Sequence, residues 1–112
     1  MTYAFALPIK PGMTEASRKF GEEIIDGARR QEYVDLQRRL GATKEQYFIQ
    51  STPESDMLIV VGEGAWTPPR KVMDPENNPF DRWYVDQVRE IYGIDLMEAD
   101  ETAELVTEWS AA

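Results

Sequence analysis

The sequence contains neither cysteine nor histidine in its 112 residues. Without them the chain cannot form disulfides, Ser-His-Asp or Cys-His catalytic groups, the usual zinc sites or a histidine-ligated haem. We therefore expect a cytoplasmic protein without a bound metal or cofactor. Any catalysis would have to use carboxylates, tyrosine, lysine, arginine, serine or threonine, or else an added cofactor.

Long apolar runs and an excess of positive charge are missing as well. No apolar run approaches the about 20 residues that a membrane-spanning helix needs, so we expect no membrane partner. The chain has 21 acidic and 12 basic residues, which gives a net charge of −9. This acidic balance favours solubility and repels phosphate backbones, so we expect no nucleic-acid partner.

The composition that remains is typical of a globular protein. Apolar residues make up 42% of the chain and charged residues 29%. A chain of this length buries a core without disulfides, and it contains no repeats or linker-like segments. The sequence therefore predicts one domain over residues 1–112.

Two segments have the pattern of helices. Residues 14–40 carry an apolar stripe that changes side near Gly27, which predicts two helical pieces or one kinked helix that ends at Gly41. The second segment begins at Asn78-Pro79, a capping residue followed by a first-turn proline, and ends at Gly93.

Four segments have the pattern of strands. Residues 2–9 alternate, with Tyr3, Phe5 and Leu7 on one face and two alanines on the other, and the small alanine face suits contact with a helix. Residues 45–52 and 57–61 read as a hairpin, and the continuous apolar run 57–61 predicts the centre of the sheet.

The remaining segments are less regular. Residues 65–77 contain three prolines and are predicted to form a loop. Residues 94–100 are predicted to be extended or loop. Residues 102–109 include Val106-Thr107, which favours a final strand over a short helix.

The order strand, helix, strand, strand, helix, strand is that of the ferredoxin-like α+β fold, a split βαβ arrangement. Its four-stranded antiparallel sheet has both helices on one face. Tyr3, Phe5 and Leu7 and the apolar strand 57–61 predict that the other face is apolar too. An apolar sheet face of this size indicates a homodimer in which two sheets pack face to face.

Six short motifs occur together in the chain: Arg29-Arg30-x-Glu32-Tyr33, Arg38-Arg39-Leu40-Gly41-x-Thr43, Tyr47-Phe48-Ile49-Gln50-x-Thr52-Pro53, Asn78-Pro79-Phe80-Asp81-Arg82-Trp83, Gly93-Ile94-Asp95-Leu96 and Glu104-Leu105-Val106-Thr107-Glu108-Trp109. In this combination the chain resembles a family of small uncharacterised bacterial proteins in the dimeric α+β barrel superfamily. The resemblance implies a dimeric barrel and no established activity. The superfamily includes cofactor-independent monooxygenases, small isomerases and ligand-sensing domains.

Most candidate site residues follow the central strand, and Tyr47 and Gln50 lie on the strand before it. Aromatic side chains there would line an apolar cavity between sheet and helices, or else belong to the core and the dimer interface. Gln50 and Glu63 lie on strands that are predicted to be buried and so need polar partners. Arg70 in the loop could meet a carboxylate. The ligand-binding candidates are Tyr47, Gln50, Trp66, Arg70, Trp83 and Tyr84.

Three functions remain open from the sequence. The first is a homodimeric barrel that binds a small apolar or aromatic molecule between sheet and helices. The second is a cofactor-independent monooxygenase- or isomerase-like enzyme, in which Glu63 or Asp81 would move a proton. The third is a structural dimer without a ligand.

Overall fold

The structure is a computed structural model that describes residues 1–99 and 102–111. Its strands are β1 (Thr2–Pro8), β2 (Ala42–Ser51) and β3 (Asp56–Gly64). Its helices are α1 (Thr14–Ile25), α2 (Arg30–Leu40), α3 (Pro69–Val72) and α4 (Pro79–Tyr92), and Leu96–Glu98 form a 3₁₀ turn. No described helix combines the length and apolar character of a membrane-crossing segment.

The three strands form one antiparallel sheet in the order β1-β3-β2. The apolar strand β3 lies in the centre, which confirms the prediction from its continuous apolar run. β2 and β3 form the predicted hairpin. In the turn between them, the Thr52 N–H donates to the Ser55 carbonyl oxygen at 3.0 Å. The register aligns Tyr3 of β1, Gly62 of β3 and Glu45 of β2 in one row across the sheet.

The predicted assignment of sheet faces was wrong. Tyr3 is buried, and Leu7 packs against the core formed with the helices, so the Tyr3, Phe5 and Leu7 face is the helix-facing one. The alanines of β1 lie on the opposite, open face. Alternation predicts which residues share a face, but it does not say which of two apolar faces the helices cover.

The open face is nevertheless apolar. By register, Ala4 and Ala6 share it with Ile59 and Val61 of the central strand. Phe48 of β2 pairs with Ile59 and keeps 49% of its surface exposed. The expectation of an apolar, uncovered sheet face therefore holds for the described residues, although different side chains form it.

The first helical segment is divided as predicted. α1 ends at Ile25 and α2 begins at Arg30, on either side of Gly27. Because the apolar stripe changes side near Gly27, Tyr33 and Leu36 of α2 are buried. Gly41 ends this helix with φ 81°, a left-handed conformation that glycine adopts without strain.

The ends of α4 are also confirmed. The Asn78 side chain accepts a hydrogen bond from the Asp81 N–H at 3.1 Å, and Pro79 occupies the first helical position. Gly93 ends the helix with φ 73°. Asn78 pairs with a free N–H group in the first turn, and Pro79 has no N–H group that would need a partner.

The predicted final strand is wrong. Residues 102–111 form no strand, and the sheet of the described residues has three strands instead of four. The segment touches the sheet through one backbone hydrogen bond, from the Ala103 N–H to the Ala4 carbonyl oxygen at 2.6 Å. β-branched residues favour a strand only where a ladder of partners exists, and this single bond does not form one.

Two irregular segments are more ordered than predicted. The prolines of the loop 65–77 include Pro69, which begins the short helix α3. The segment 94–100 was predicted to be extended or loop, but Leu96–Glu98 form a 3₁₀ turn held by the Asp95 side chain, which accepts from the Met97 N–H. The last residue of that predicted segment, 100, lies outside the described residues.

Candidate functional site

A cavity of about 90 Å³ lies between the helix-facing side of the sheet and the helices α1 and α4. Its walls are mainly apolar side chains from all three strands and both helices. They include Phe5, Phe20, Ile24, Leu58, Val60 and Val88.

Among the described residues that line this cavity, Glu45 is the one that has a carboxylate. It stands at the β2 end of the row that also holds Gly62 and Tyr3. Its Oε1 accepts from the hydroxyls of Tyr47 at 2.7 Å and Tyr33 at 3.0 Å, and its Oε2 accepts from the Tyr3 hydroxyl. We call these four residues the tyrosine–glutamate cluster.

The cluster depends on a glycine in the central strand. Tyr3 and Glu45 lie on the two outer strands, with Gly62 between them. A Cβ atom built at Gly62 would overlap the ring carbons and hydroxyl of Tyr3. Because Gly62 has no side chain, the Tyr3 ring crosses the central strand and its hydroxyl reaches Glu45.

The tyrosines of the cluster act as hydrogen-bond donors. Burial is the largest cause of the raised pKa of Tyr3, Tyr33 and Tyr47, and the nearby Glu45 carboxylate raises each pKa further. Their hydroxyls therefore stay protonated at neutral pH and donate to Glu45. The Gln37 side chain donates in turn to the Tyr33 hydroxyl at 2.9 Å.

Gly21 lies in the cavity wall, in the interior of α1. A glycine at such a position costs about 1 kcal/mol of helix stability relative to alanine. No crowding requires it, because a Cβ built at Gly21 would meet no atom within 4 Å. Its effect on the structure is to leave room beside the cavity.

A second, wider recess of about 430 Å³ lies on the outer side of the cluster. Glu45 and Tyr33 line it together with Arg38 and Lys44. The Arg38 guanidinium pairs with Asp35 at 3.5 Å, and the Lys44 ammonium pairs with Glu63 at 3.9 Å.

Three of the predicted ligand-binding residues line the cavity, namely Tyr47, Trp66 and Tyr84. The Trp66 ring lies 6.2 Å from the Phe5 ring, and this contact folds the start of the proline-rich segment over the sheet. The Tyr84 ring stacks on the Tyr33 ring with centroids 6.1 Å apart, so α4 contributes to the same region.

Two other predicted residues lie elsewhere. Trp83 packs against Phe20 and Phe80, and the Arg29 guanidinium covers its ring at 4.1 Å. Among the described residues that line the cavity, Trp83 is absent. Arg70 is exposed on α3.

The burial predicted for Gln50 and Glu63 was wrong. Both side chains are exposed. Gln50 pairs with Met57 in the register, which puts it on the open face of the sheet. Glu63 lies one residue beyond Gly62, on the face opposite to the cavity, and pairs with Lys44. A one-residue step along a strand moves a side chain to the other face.

Asp81 is fully buried, and its carboxylate is fully engaged in a structural contact. Both oxygens accept from the Arg39 guanidinium at 2.8 Å, and Oδ2 also accepts from the Asp74 N–H at 2.9 Å. Burial alone would raise the pKa of Asp81, but Arg39 and the Asp74 N–H outweigh burial and lower it. This ion pair joins α2 to the start of α4.

The sequence analysis missed Glu45, Tyr33 and Tyr3 as site residues. A signal for Glu45 exists, because it shares a strand face with Tyr47 and Ile49 at a spacing of two residues. A carboxylate on such a face needs partners. The contribution of Tyr3 was not visible, since it depends on the alignment of β1 with Gly62.

No protein-family model matches the chain, and no curated protein matches it at a significant level. A solved structure of an L-rhamnose mutarotase from Formosa agariphila is similar to it, with a TM-score of 0.61 and 17% identity. The match covers 98% of this chain and 99% of that one. At this level of identity the likeness shows that the two chains share an α+β fold with an antiparallel sheet and helices. Membership of the uncharacterised bacterial family remains a prediction.

Metal binding finds no support in the described residues. They contain no group of three or more acidic, histidine or cysteine side chains that could hold a metal ion. The chemistry available at the cavity is that of one carboxylate, protonated tyrosine hydroxyls and aromatic rings.

Proposed function

We propose that this protein binds a small apolar or aromatic molecule in the cavity between sheet and helices, with the polar end of the molecule at Glu45. The observation that carries the proposal is an apolar space that the fold leaves open and that ends at a carboxylate. Ligand sites are typically apolar hollows with a few convergent polar groups. Gly21 supports this function, because it weakens α1 and leaves the cavity wall open.

The size of the cavity limits the ligand. An apolar cavity of about 150 Å³ holds benzene, so about 90 Å³ suits a molecule somewhat smaller than benzene. Such a molecule would contact Val60 and Leu58 with its apolar part and hydrogen-bond to Glu45 with its polar end.

Titration of the ¹⁵N-labelled protein with isobutanol tests the proposal, because isobutanol has fewer heavy atoms than benzene. We expect shifts of amide signals in β3 and of the Trp66 indole signal. The variant Gly21→Leu adds a side chain at the open wall and should abolish these shifts. The control Glu22→Leu changes the exposed neighbouring position and should leave them. Unchanged spectra of the wild type at saturating ligand would contradict the proposal and favour a structural dimer.

We also propose that two copies pair through the open sheet face in a cytoplasmic homodimer. The support is the apolar face of Ala4, Ala6, Phe48, Ile59 and Val61. Further apolar surface lies on residues 102–111, where three side chains are largely exposed: Leu105 at 77%, Val106 at 84% and Trp109 at 84%.

A second candidate is an isomerase that uses the tyrosine–glutamate cluster. The fold likeness to a mutarotase and the Glu45 carboxylate at the cavity favour it. The apolar walls weigh against L-rhamnose itself, because they would leave most of the sugar's hydroxyls without partners. Glu63 and Asp81 have no part in this candidate, since neither lines the cavity among the described residues.

Measurement of the rate of L-rhamnose mutarotation by NMR tests the isomerase candidate on the sugar that names the similar structure. Binding alone leaves the rate of anomer exchange at its value in buffer. Faster exchange that is lost in Glu45→Gln, and kept in Glu63→Gln, would favour the isomerase.

A further inference from the structure

Among the described residues, Glu45 is a partly buried carboxylate without a cationic partner. Within residues 1–99 and 102–111 it accepts three tyrosine hydrogen bonds and forms no salt bridge. Buried charges in proteins are normally paired with an opposite charge as well as hydrogen-bonded. A cation beside Glu45 would complete this pairing.

The nearest basic side chains do not fill this role. Arg38 and Lys44 line the outer recess beside Glu45, but they pair with Asp35 and Glu63. No lysine or arginine stands among the described residues that line the inner cavity. A ligand that enters the inner cavity could bring such a cation.

The walls of the cavity also favour a cation. The rings of Phe5, Phe20, Trp66 and Tyr84 line it, and the faces of aromatic rings carry partial negative charge that attracts ammonium groups. The net charge of −9 draws cations towards the protein and repels anions.

One acceptor position on the carboxylate remains for the ligand. A carboxylate has about four acceptor positions, two on each oxygen. Tyr33 and Tyr47 use Oε1, whereas Oε2 accepts from Tyr3 alone in the described part of the chain. An N–H group of the ligand can use the second position on Oε2.

We propose that the ligand of the cavity is a small primary amine in its ammonium form, with the charged nitrogen at Glu45 and the apolar part against β3 and the aromatic rings. The inference rests on the proposed function and names the chemical class of its ligand. A metal ion does not fit, because the walls are apolar and Glu45 is the one carboxylate among their described residues.

Three probes of one shape test the proposal. Isobutylamine, isobutanol and isobutyrate share the isopropyl group and differ in charge at pH 7. Titrations are followed by NMR at equal ionic strength. Because an ammonium–carboxylate hydrogen bond is about twice as strong as a neutral one, we expect isobutylamine to bind about tenfold more tightly than isobutanol. Isobutyrate should not bind.

The variant Glu45→Gln keeps the shape and an acceptor oxygen but removes the charge. It should bring the affinity ratio of isobutylamine to isobutanol down to about one. Gly21→Leu should remove the binding of both, which separates the cavity from acidic sites on the surface.

The outcomes of these titrations distinguish a failure of the amine proposal from a failure of the proposed function. Equal or tighter binding of isobutanol to the wild type would overturn the amine proposal and leave the proposed function standing. Absence of binding by all three probes would contradict the proposed function itself. The comparison on the wild type decides the question even if Glu45→Gln does not fold.

Discussion

The ring of Tyr3 lies across Gly62, in the space that a side chain on the central strand would occupy. This crossing brings the Tyr3 hydroxyl from one outer strand to Glu45 on the other. The tyrosine–glutamate cluster is therefore built on the sheet register, and one methyl group on β3 is enough to disturb it.

Gly62→Ala should displace the Tyr3 ring and destabilise the protein by about 1–3 kcal/mol, the range for overpacked cores. Gly21→Ala is the matched control, because its new methyl group meets no atom within 4 Å. It should stabilise α1 by up to about 1 kcal/mol. Urea denaturation measures both changes. Equal changes in the free energy of unfolding for Gly62→Ala and Gly21→Ala would contradict the position of the Tyr3 ring across Gly62.

Asp81→Asn should destabilise the protein by about 3 kcal/mol, because it breaks a buried ion pair and leaves Arg39 or the Asp74 N–H without its acceptor. The control Asp86→Asn breaks exposed pairs with Arg82 and Arg89 and should cost less than about 1 kcal/mol. Denaturation midpoints compare them. If Asp81→Asn lowers the free energy of unfolding no more than Asp86→Asn does, the structural role of Asp81 is contradicted.

The same ion pair predicts a dependence of stability on pH. The pKa of Asp81 is lower in the folded protein than its ordinary value. Its contribution is therefore complete above the unfolded pKa of about 3.9 and disappears as the pH falls through the lower folded value. Denaturation curves between pH 7 and pH 2 should show that acid lowers the free energy of unfolding less in Asp81→Asn than in the wild type. Parallel pH profiles would contradict this contribution.

Phe48→Asp should separate the proposed homodimer, because it places a charge on the open sheet face beside Ile59 of the central strand. Sedimentation at micromolar concentration should give twice the chain mass of 12.9 kDa for the wild type and 12.9 kDa for the variant. Ala28→Asp adds the same charge at an exposed position before α2 and should leave the mass unchanged. A wild-type mass of 12.9 kDa would refute the dimer.

Local signals in the sequence were sufficient for α1, α2, α4 and the central strand, but not for the short helix α3. Asn78, Pro79 and Gly93 define α4 because they act on neighbouring backbone groups, and the stripe change near Gly27 divides α1 from α2. The apolar run of β3 identifies the strand that lies between two others in the sheet. Each of these features depends on residues that are close in the chain.

Features that depend on distant partners were not predictable in this way. Tyr3 and Phe5 have the alternation of a strand, which fits either face of the sheet. Val106 and Thr107 have strand propensity, but in the described structure residues 102–111 form no ladder of hydrogen bonds with the sheet. The site required the alignment of Tyr3, Gly62 and Glu45 from three strands, and no single segment carries it.

The central claim is that the space between sheet and helices holds the ligand. Intermolecular nuclear Overhauser effects with saturating isobutylamine test it most directly, because neighbouring residues of β3 point to opposite faces. We predict contacts from the isopropyl methyl groups to Leu58 and Val60, which line the cavity. Contacts to Ile59 and Val61 alone, or none from the saturated protein, would contradict the claim.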